Sequence, residues 1–244
     1  MSEPGLLLIL DDEKNDLAEV SLQLIRLGVD AVHAGSLDEA DLLTRQEGSR
    51  IHGAVLPAGA SDARIEAVLE TIGPHTGVGV SGLAVLGPRP GDARVKELRG
   101  LGISWRLWRP YEDRDVRFLG GSLVWASSEE NLRIDRRVPT ALPGIVAHCG
   151  EARSVLIGDL SASGAYVEIP DPDLPPAGAQ IQLEIALPGG PIELSALVRW
   201  VAEPDMRPVR ARPPGCGVEF IGPSREIRMP LMEHVDIEAS RFAL

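Results

Sequence analysis

Two arginines four residues apart, Arg133 and Arg137, and the run Asp159-Leu160-Ser161-Ala162-Ser163-Gly164 are the parts of this chain best suited by residue type and spacing to binding chemistry. A guanidinium forks onto two oxygens of a phosphate or onto the O6/N7 edge of a guanine, and its flat face stacks on a purine. Arg136 lies in the same cluster and can add a phosphate contact. A carboxylate such as Asp159 accepts two donors from one base edge. The Ser161 hydroxyl can donate to a phosphate or base oxygen, and Gly164 permits a tight turn and close approach of backbone to ligand. Taken singly, these features read as a solubilising linker run and an ordinary hairpin turn. Together they point to an anionic, purine-bearing ligand.

A second pair, Asp11-Asp12, ends an apolar run. Two carboxylates without a third ligand hold magnesium poorly, so the pair reads as solvated acids ending a buried strand and no metal is expected. The histidines (His33, His52, His75, His148, His234) are scattered without metal-ligand spacing. Cys149 and Cys216 cannot make a disulfide framework or a cysteine-based zinc site, and they suit a reducing cytosol. Ser161 has no evident base partner and no GxSxG elbow is present. The expectation is therefore a chain that is not an enzyme and carries no cofactor. Gly77-Val78-Gly79-Val80-Ser81-Gly82 matches the spacing of a dinucleotide fingerprint but leads into an apolar run instead of opening a helix, so a loop is expected there.

The elements that must position these residues fall into two sets. Up to about residue 128, aliphatic strand candidates (Leu6–Leu10, Val29–His33, Ile51–Leu56, Leu83–Leu86, Ile103–Trp108) alternate with helical patterns at Asp16–Leu27, Ser36–Arg45, Ala63–Ile72 and Gly91–Leu98. Strict alternation with short loops implies parallel strands joined by crossovers, a doubly wound α/β domain over 1–128. From 129 to 244 the punctuation changes to short strands (Thr140–His148, Ser154–Leu160, Ala165–Ile169, Gln180–Ala186, Ile192–Val201, Cys216–Ile221) separated by Pro/Gly loops, with a helical run over 224–239. That pattern predicts an antiparallel sandwich or barrel.

Composition bounds the partners. Of 244 residues, 24 are Lys or Arg and 36 are Asp or Glu, a formal charge of −12. A field of that sign repels polyanions, which argues against nucleic acid and anionic membrane while leaving room for a small anion held by local arginines. No stretch is apolar over the length needed to span a bilayer, and no signal peptide is evident, so a cytoplasmic location is expected. Trp105, Trp108 and Tyr111 cluster near the fifth strand candidate. They are either core or a surface for a protein partner or a second copy, giving a homodimer.

The first half resembles a response-regulator receiver, with a flavodoxin-like fold implied. Asp11 and Asp12 match the acid pair that holds magnesium in that family, but the phosphoacceptor position falls on Pro57, the hydroxyl position on Gly87, and the terminal Lys-Pro pair is Arg109-Pro110. Asp62, five residues past Pro57, is expected beyond the strand's end. The resemblance thus implies a pseudo-receiver that cannot be phosphorylated and serves protein contacts. The second half resembles a PilZ domain: Arg133–Arg137 matches RxxxR, Asp159–Gly164 matches (D/N)xSxxG, and Leu197-Val198-Arg199-Trp200 and Gly215-Cys216-Gly217-Val218-Glu219-Phe220 fit weaker strand signatures. This resemblance implies a six-stranded barrel with a C-terminal helix that binds cyclic di-GMP through Arg133, Arg136, Arg137, Asp159, Ser161 and Gly164, controlling motility, surface polysaccharide or adhesion. Leu132, where another arginine would stack on a second nucleotide, favours one ligand per site. An interaction scaffold that binds no nucleotide is the alternative.

Overall fold

The computed structural model describes residues 5–11, 17–126, 135–169, 174–202 and 213–244. The chain divides into two compact units, one of Met1–Leu132 with Arg241–Leu244 and one of Arg133–Ser240. Both expected architectures are present.

In the first unit, strands β1 (Leu6–Leu10), β2 (Ala31–Ala34), β3 (Ile51–Pro57), β4 (Leu83–Gly87) and β5 (Trp105–Trp108) alternate with helices α1 (Ala18–Arg26), α2 (Leu37–Glu47), α3 (Asp62–Thr76), α4 (Asp92–Gly100) and α5 (Asp113–Ala126). The strands pair in parallel in the order β2-β1-β3-β4-β5, the doubly wound arrangement. Every residue of β1 is buried because helices cover both faces. Leu6, Leu8 and Leu10 enter one core while Leu7 and Ile9 enter the other. Ser36 caps α2 by accepting from the Glu39 N–H, and Glu39 Oε2 accepts from the Gly35 N–H. Gly28 follows α1 at φ 81°, a left-handed cap that glycine adopts without strain.

Helix α3 runs further than its periodicity suggests. It continues through Pro74 to Thr76, where Thr76 donates its hydroxyl to the Ile72 carbonyl. Gly77 (φ 71°) then closes the helix by donating its N–H to the Gly73 carbonyl. The glycine run over 77–82 therefore begins at a helix C-terminus, where carbonyls and not amides are presented, and leads through a short 3₁₀ turn into β4. That is the wrong dipole end for a pyrophosphate, as the loop reading requires.

The four C-terminal residues, placed with the barrel by the sequence pattern, belong to the first unit. Ala243 forms an antiparallel bridge with Trp105 of β5. Arg106 N–H donates to the Phe242 carbonyl at 2.9 Å and Leu244 N–H donates to the Ser104 carbonyl at 3.0 Å. Trp105, Trp108 and Tyr111 are half-buried and packed against the two cores.

In the second unit, β6 (Arg137–His148), β7 (Glu151–Ser161), β8 (Gly164–Glu168), β9 (Gln180–Leu187), β10 (Gly190–Ala202) and β11 (Gly215–Phe220) close into an antiparallel barrel of order β10-β11-β8-β7-β6-β9. Helix α6 (Arg225–Ala239) adds Leu231, Val235 and Ala239 to its core at helical spacing. In β9 the buried residues Ile181, Leu183, Ile185 and Leu187 alternate with more exposed ones, as a strand with one face in a core demands. Among the described residues no helix is long and apolar enough to cross a membrane.

Cys216 of β11 faces the barrel core, and burial pushes its thiol from 9.0 up to about 11. The folded state therefore holds the proton more tightly than the unfolded chain, and the stability this contributes is lost as pH rises from about 9 towards 11. Denaturant unfolding of the full chain and of Cys216→Ala should show a stability gap that is constant below about pH 9 and shrinks above it. A gap independent of pH up to 11 would contradict the assignment.

Candidate functional site

The pairing of β6 with β7 builds the site. Arg137 lies opposite Ser161, Val138 opposite Leu160 and Pro139 opposite Asp159. Directly opposed residues share a face of the sheet, so Arg137, Pro139, Asp159 and Ser161 are on one side while Val138 and Leu160 point into the barrel core. Strict alternation along β7 from the buried Val155 and Ile157 would carry Asp159 into the core with them. One extra residue, Gly158, shifts the β7–β8 register between Ile157 and Asp159 and reverses the parity. The bulge turns Asp159 and Ser161 away from the barrel core, with Asp159 half-buried and Ser161 buried.

Ser161 and Gly164 are bonded to each other across the turn between β7 and β8. The Ser161 hydroxyl donates to the Gly164 carbonyl at 3.0 Å and accepts from the Gly164 N–H at 3.1 Å. These two bonds shape the loop between β7 and β8. At Gly164 a Cβ would meet the Val218 carbonyl oxygen at 2.3 Å. The close approach that requires glycine is therefore to β11. Arg136 is exposed, and its guanidinium donates to the Ala239 carbonyl at the end of α6 at 3.4 Å, where a cation complements the helix dipole. Arg133 and Leu132 lie outside the described residues.

A feature that motif reading did not join together extends the same row across the barrel. Asp159 is opposite Tyr166, Tyr166 opposite Gly217, and Gly217 opposite Trp200. The Tyr166 and Trp200 rings stack with centroids 5.3 Å apart and 16° between planes. The indole lies over Gly217, where a Cβ would sit 2.2 Å from Trp200 Nε1. Trp200 keeps 39% of its surface exposed, so the row from Asp159 ends in an aromatic platform. A glycine inside the otherwise bulky strand around Cys216 and Val218 is the sequence signal for it.

In the first unit, Asp11, Pro57, Gly87 and Arg109 stand at the carboxyl ends of their strands, where ligands bind in this topology. Asp11 is buried, and its Oδ2 accepts from the Leu17 N–H at 3.0 Å with His33 Nε2 at 3.6 Å. The Arg64 guanidinium donates to the Asp11 carbonyl at 3.4 Å. This carboxylate is tied to protein groups and is not a solvated acid. Asp12 lies outside the described residues, and among those described no group of three His, Cys, Asp or Glu is placed to hold a metal. Asp62 opens α3 and pairs with Arg94.

Because a Cβ at Gly164 would meet the Val218 carbonyl of β11, Gly164→Ala should cost about 1–3 kcal/mol of unfolding free energy, read by denaturant titration of the full chain. Unchanged stability would place the glycine's role elsewhere.

Comparison with known proteins places the second unit. Residues 131–236 match the family model of the PilZ domain. Similar solved structures include the inhibitor of motility MotI/DgrA of Bacillus subtilis, 21% identical over 46% of this chain and 51% of that one (TM-score 0.37). Others are the PilZ domain with c-di-GMP of YcgR from Escherichia coli, 16% identical over 45% and 93% (TM-score 0.38), and the K. pneumonia MrkH–c-di-GMP complex, 18% identical over 45% and 54% (TM-score 0.37). This chain spans about half the length of the first and third of these. No curated protein matches it. Residues 131–236 of this chain are a PilZ domain, joined to an α/β unit of five parallel strands.

Proposed function

We propose that the chain is a cyclic di-GMP receptor in bacterial second-messenger signalling, acting in the cytoplasm on motility, surface polysaccharide or adhesion. The observation that carries this reading is the pairing of the two PilZ motifs: β6 begins at Arg137, so Arg137 enters the ladder opposite Ser161 and two residues from Asp159, on the face of the sheet away from the barrel core. Arg133 and Arg137 clamp the ligand by forking onto phosphate or guanine oxygens. Arg136 contributes a further cation once it leaves the Ala239 carbonyl. Asp159 accepts from the guanine N1–H and N2–H, Ser161 donates to a phosphate or guanine oxygen, and Gly164 lets the backbone of the turn approach the ligand closely. With Leu132 before the clamp, one nucleotide occupies the site.

The first unit acts as a pseudo-receiver that makes protein contacts. Phosphoryl transfer to a carboxylate needs a nucleophile and cations on the developing charge. Pro57 offers no nucleophile, Gly87 no hydroxyl, and Asp11 is already bonded to Leu17. Incubation with acetyl phosphate and magnesium should leave no hydroxylamine-labile phosphate on the chain; labelling would overturn this part of the reading.

Charge-assisted bonds are worth roughly 1.5–3 kcal/mol each, so Arg133→Ala or Arg137→Ala should weaken cyclic di-GMP binding by about ten- to a hundredfold in calorimetric titration of the full chain. Lysine at either position should restore only part of it, having lost the fork. Asp159→Asn should reduce discrimination for guanine more than affinity. No heat of binding to the wild type would leave the interaction scaffold as the function. Binding unaffected by the double arginine variant would move the site.

A further inference from the structure

Strand β5 ends the parallel sheet, so only one of its edges pairs with β4. An open edge presents N–H and C=O groups to any extended segment that can add to it. Here that segment is Arg241-Phe242-Ala243-Leu244, running antiparallel to β5 through the Arg106 to Phe242 and Leu244 to Ser104 hydrogen bonds.

Two side-chain receptors flank this backbone pairing. The first is an aromatic slot. Phe242 is fully buried, with its ring centroid 4.6 Å from that of Phe118, and Phe118 meets the Trp105 ring edge-on at 6.5 Å. The second is a buried carboxylate. Asp115, in the first turn of α5, is fully buried; its Oδ2 accepts from the Glu112 N–H at 3.0 Å and from the Arg241 guanidinium at 3.1 Å. Its Oδ1 has no hydrogen-bond partner among the described residues. A buried carboxylate needs a compensating cation, and Arg241, whose guanidinium also lies 5.7 Å from the Phe242 ring centre, reaches it.

The contact set is modular: a backbone ladder for register, a slot that selects an aromatic residue, and a carboxylate that selects an arginine immediately before it. Nothing in it depends on the segment's covalent link to α6. We propose that the β5 edge with Trp105, Phe118 and Asp115 is a peptide-recognition site for an extended Arg-Phe-x-Leu segment, that residues 241–244 are its resident ligand, and that the same segment supplied in trans by a second copy of the chain can replace it. This proposal is independent of nucleotide binding by the barrel.

The test follows a dye-labelled octapeptide, Ile-Glu-Ala-Ser-Arg-Phe-Ala-Leu, by fluorescence anisotropy against the full-length chain. The wild type, with its site filled, should bind it weakly. The full-length Phe242→Ala variant, with the slot vacated, should bind at least tenfold more tightly. A peptide with alanine in place of phenylalanine should lose that gain, and adding Asp115→Asn to the Phe242→Ala chain should weaken peptide binding about tenfold. A Phe242→Ala chain that retains its circular dichroism yet binds no better than wild type overturns the proposal. If Phe242→Ala fails to fold, Arg241→Ala carries the test: it removes only the partly exposed cation and should take up the peptide more tightly than wild type, and equal affinity overturns the proposal as well.

Discussion

An antiparallel ladder allows whole-residue steps only, and a single-residue slip moves every side chain to the opposite face. The second unit depends on that constraint along β6 and β7. If Leu160 is to stay in the barrel core while Asp159 and Ser161 lie with Arg137 on the other face, the phase of β7 must change between Ile157 and Asp159, and Gly158 supplies the extra residue. At Gly158 the Glu168 carboxylate lies 2.4 Å from a notional Cβ, so any side chain there would have to displace that flexible side chain. The glycines at 164, 215 and 217 answer the same demand for close packing: their Cβ positions are taken by the Val218 carbonyl, the Val167 carbonyl and the Trp200 indole. Spacing within the motif is thus a packing requirement before it is a binding requirement.

In the first unit the strand interiors and the strand ends answer to different demands. Burial of both faces of β1 and β3 demands aliphatic residues, and those remain. The strand ends carry no such demand, and there Pro57 and Gly87 close β3 and β4. Asp11 keeps a structural task, receiving the Leu17 amide at the start of α1. Its other neighbour is His33, whose Nε2 lies 3.6 Å from the same oxygen.

Edges unite the two halves as a physical problem. The barrel solves it by closure, with β10 and β9 completing a cycle that leaves no strand unpaired. The open sheet cannot close, and at β5 the chain's own last residues cover the edge. Phe242 then serves the core of the α/β unit although it follows directly on the PilZ helix in sequence.

How much of this was legible beforehand follows from the range of the forces involved. Helix and strand periodicity, the Ser36 cap, the Gly28 terminus and the punctuation near residue 128 are local, so the sequence alone determined an α/β unit followed by an antiparallel barrel and brought out both arginine and Asp-x-Ser motifs. The RxxxR and Asp159–Gly164 segments are each recognisable from residue type, yet their union is not. It needs the β6–β7 register, set by which residues the barrel buries. Likewise the Tyr166–Trp200 stack over Gly217 and the return of Arg241–Leu244 to β5 join positions far apart in the chain. No window of sequence contains both partners, and only tertiary packing, which decides what lies opposite what, could bring them together.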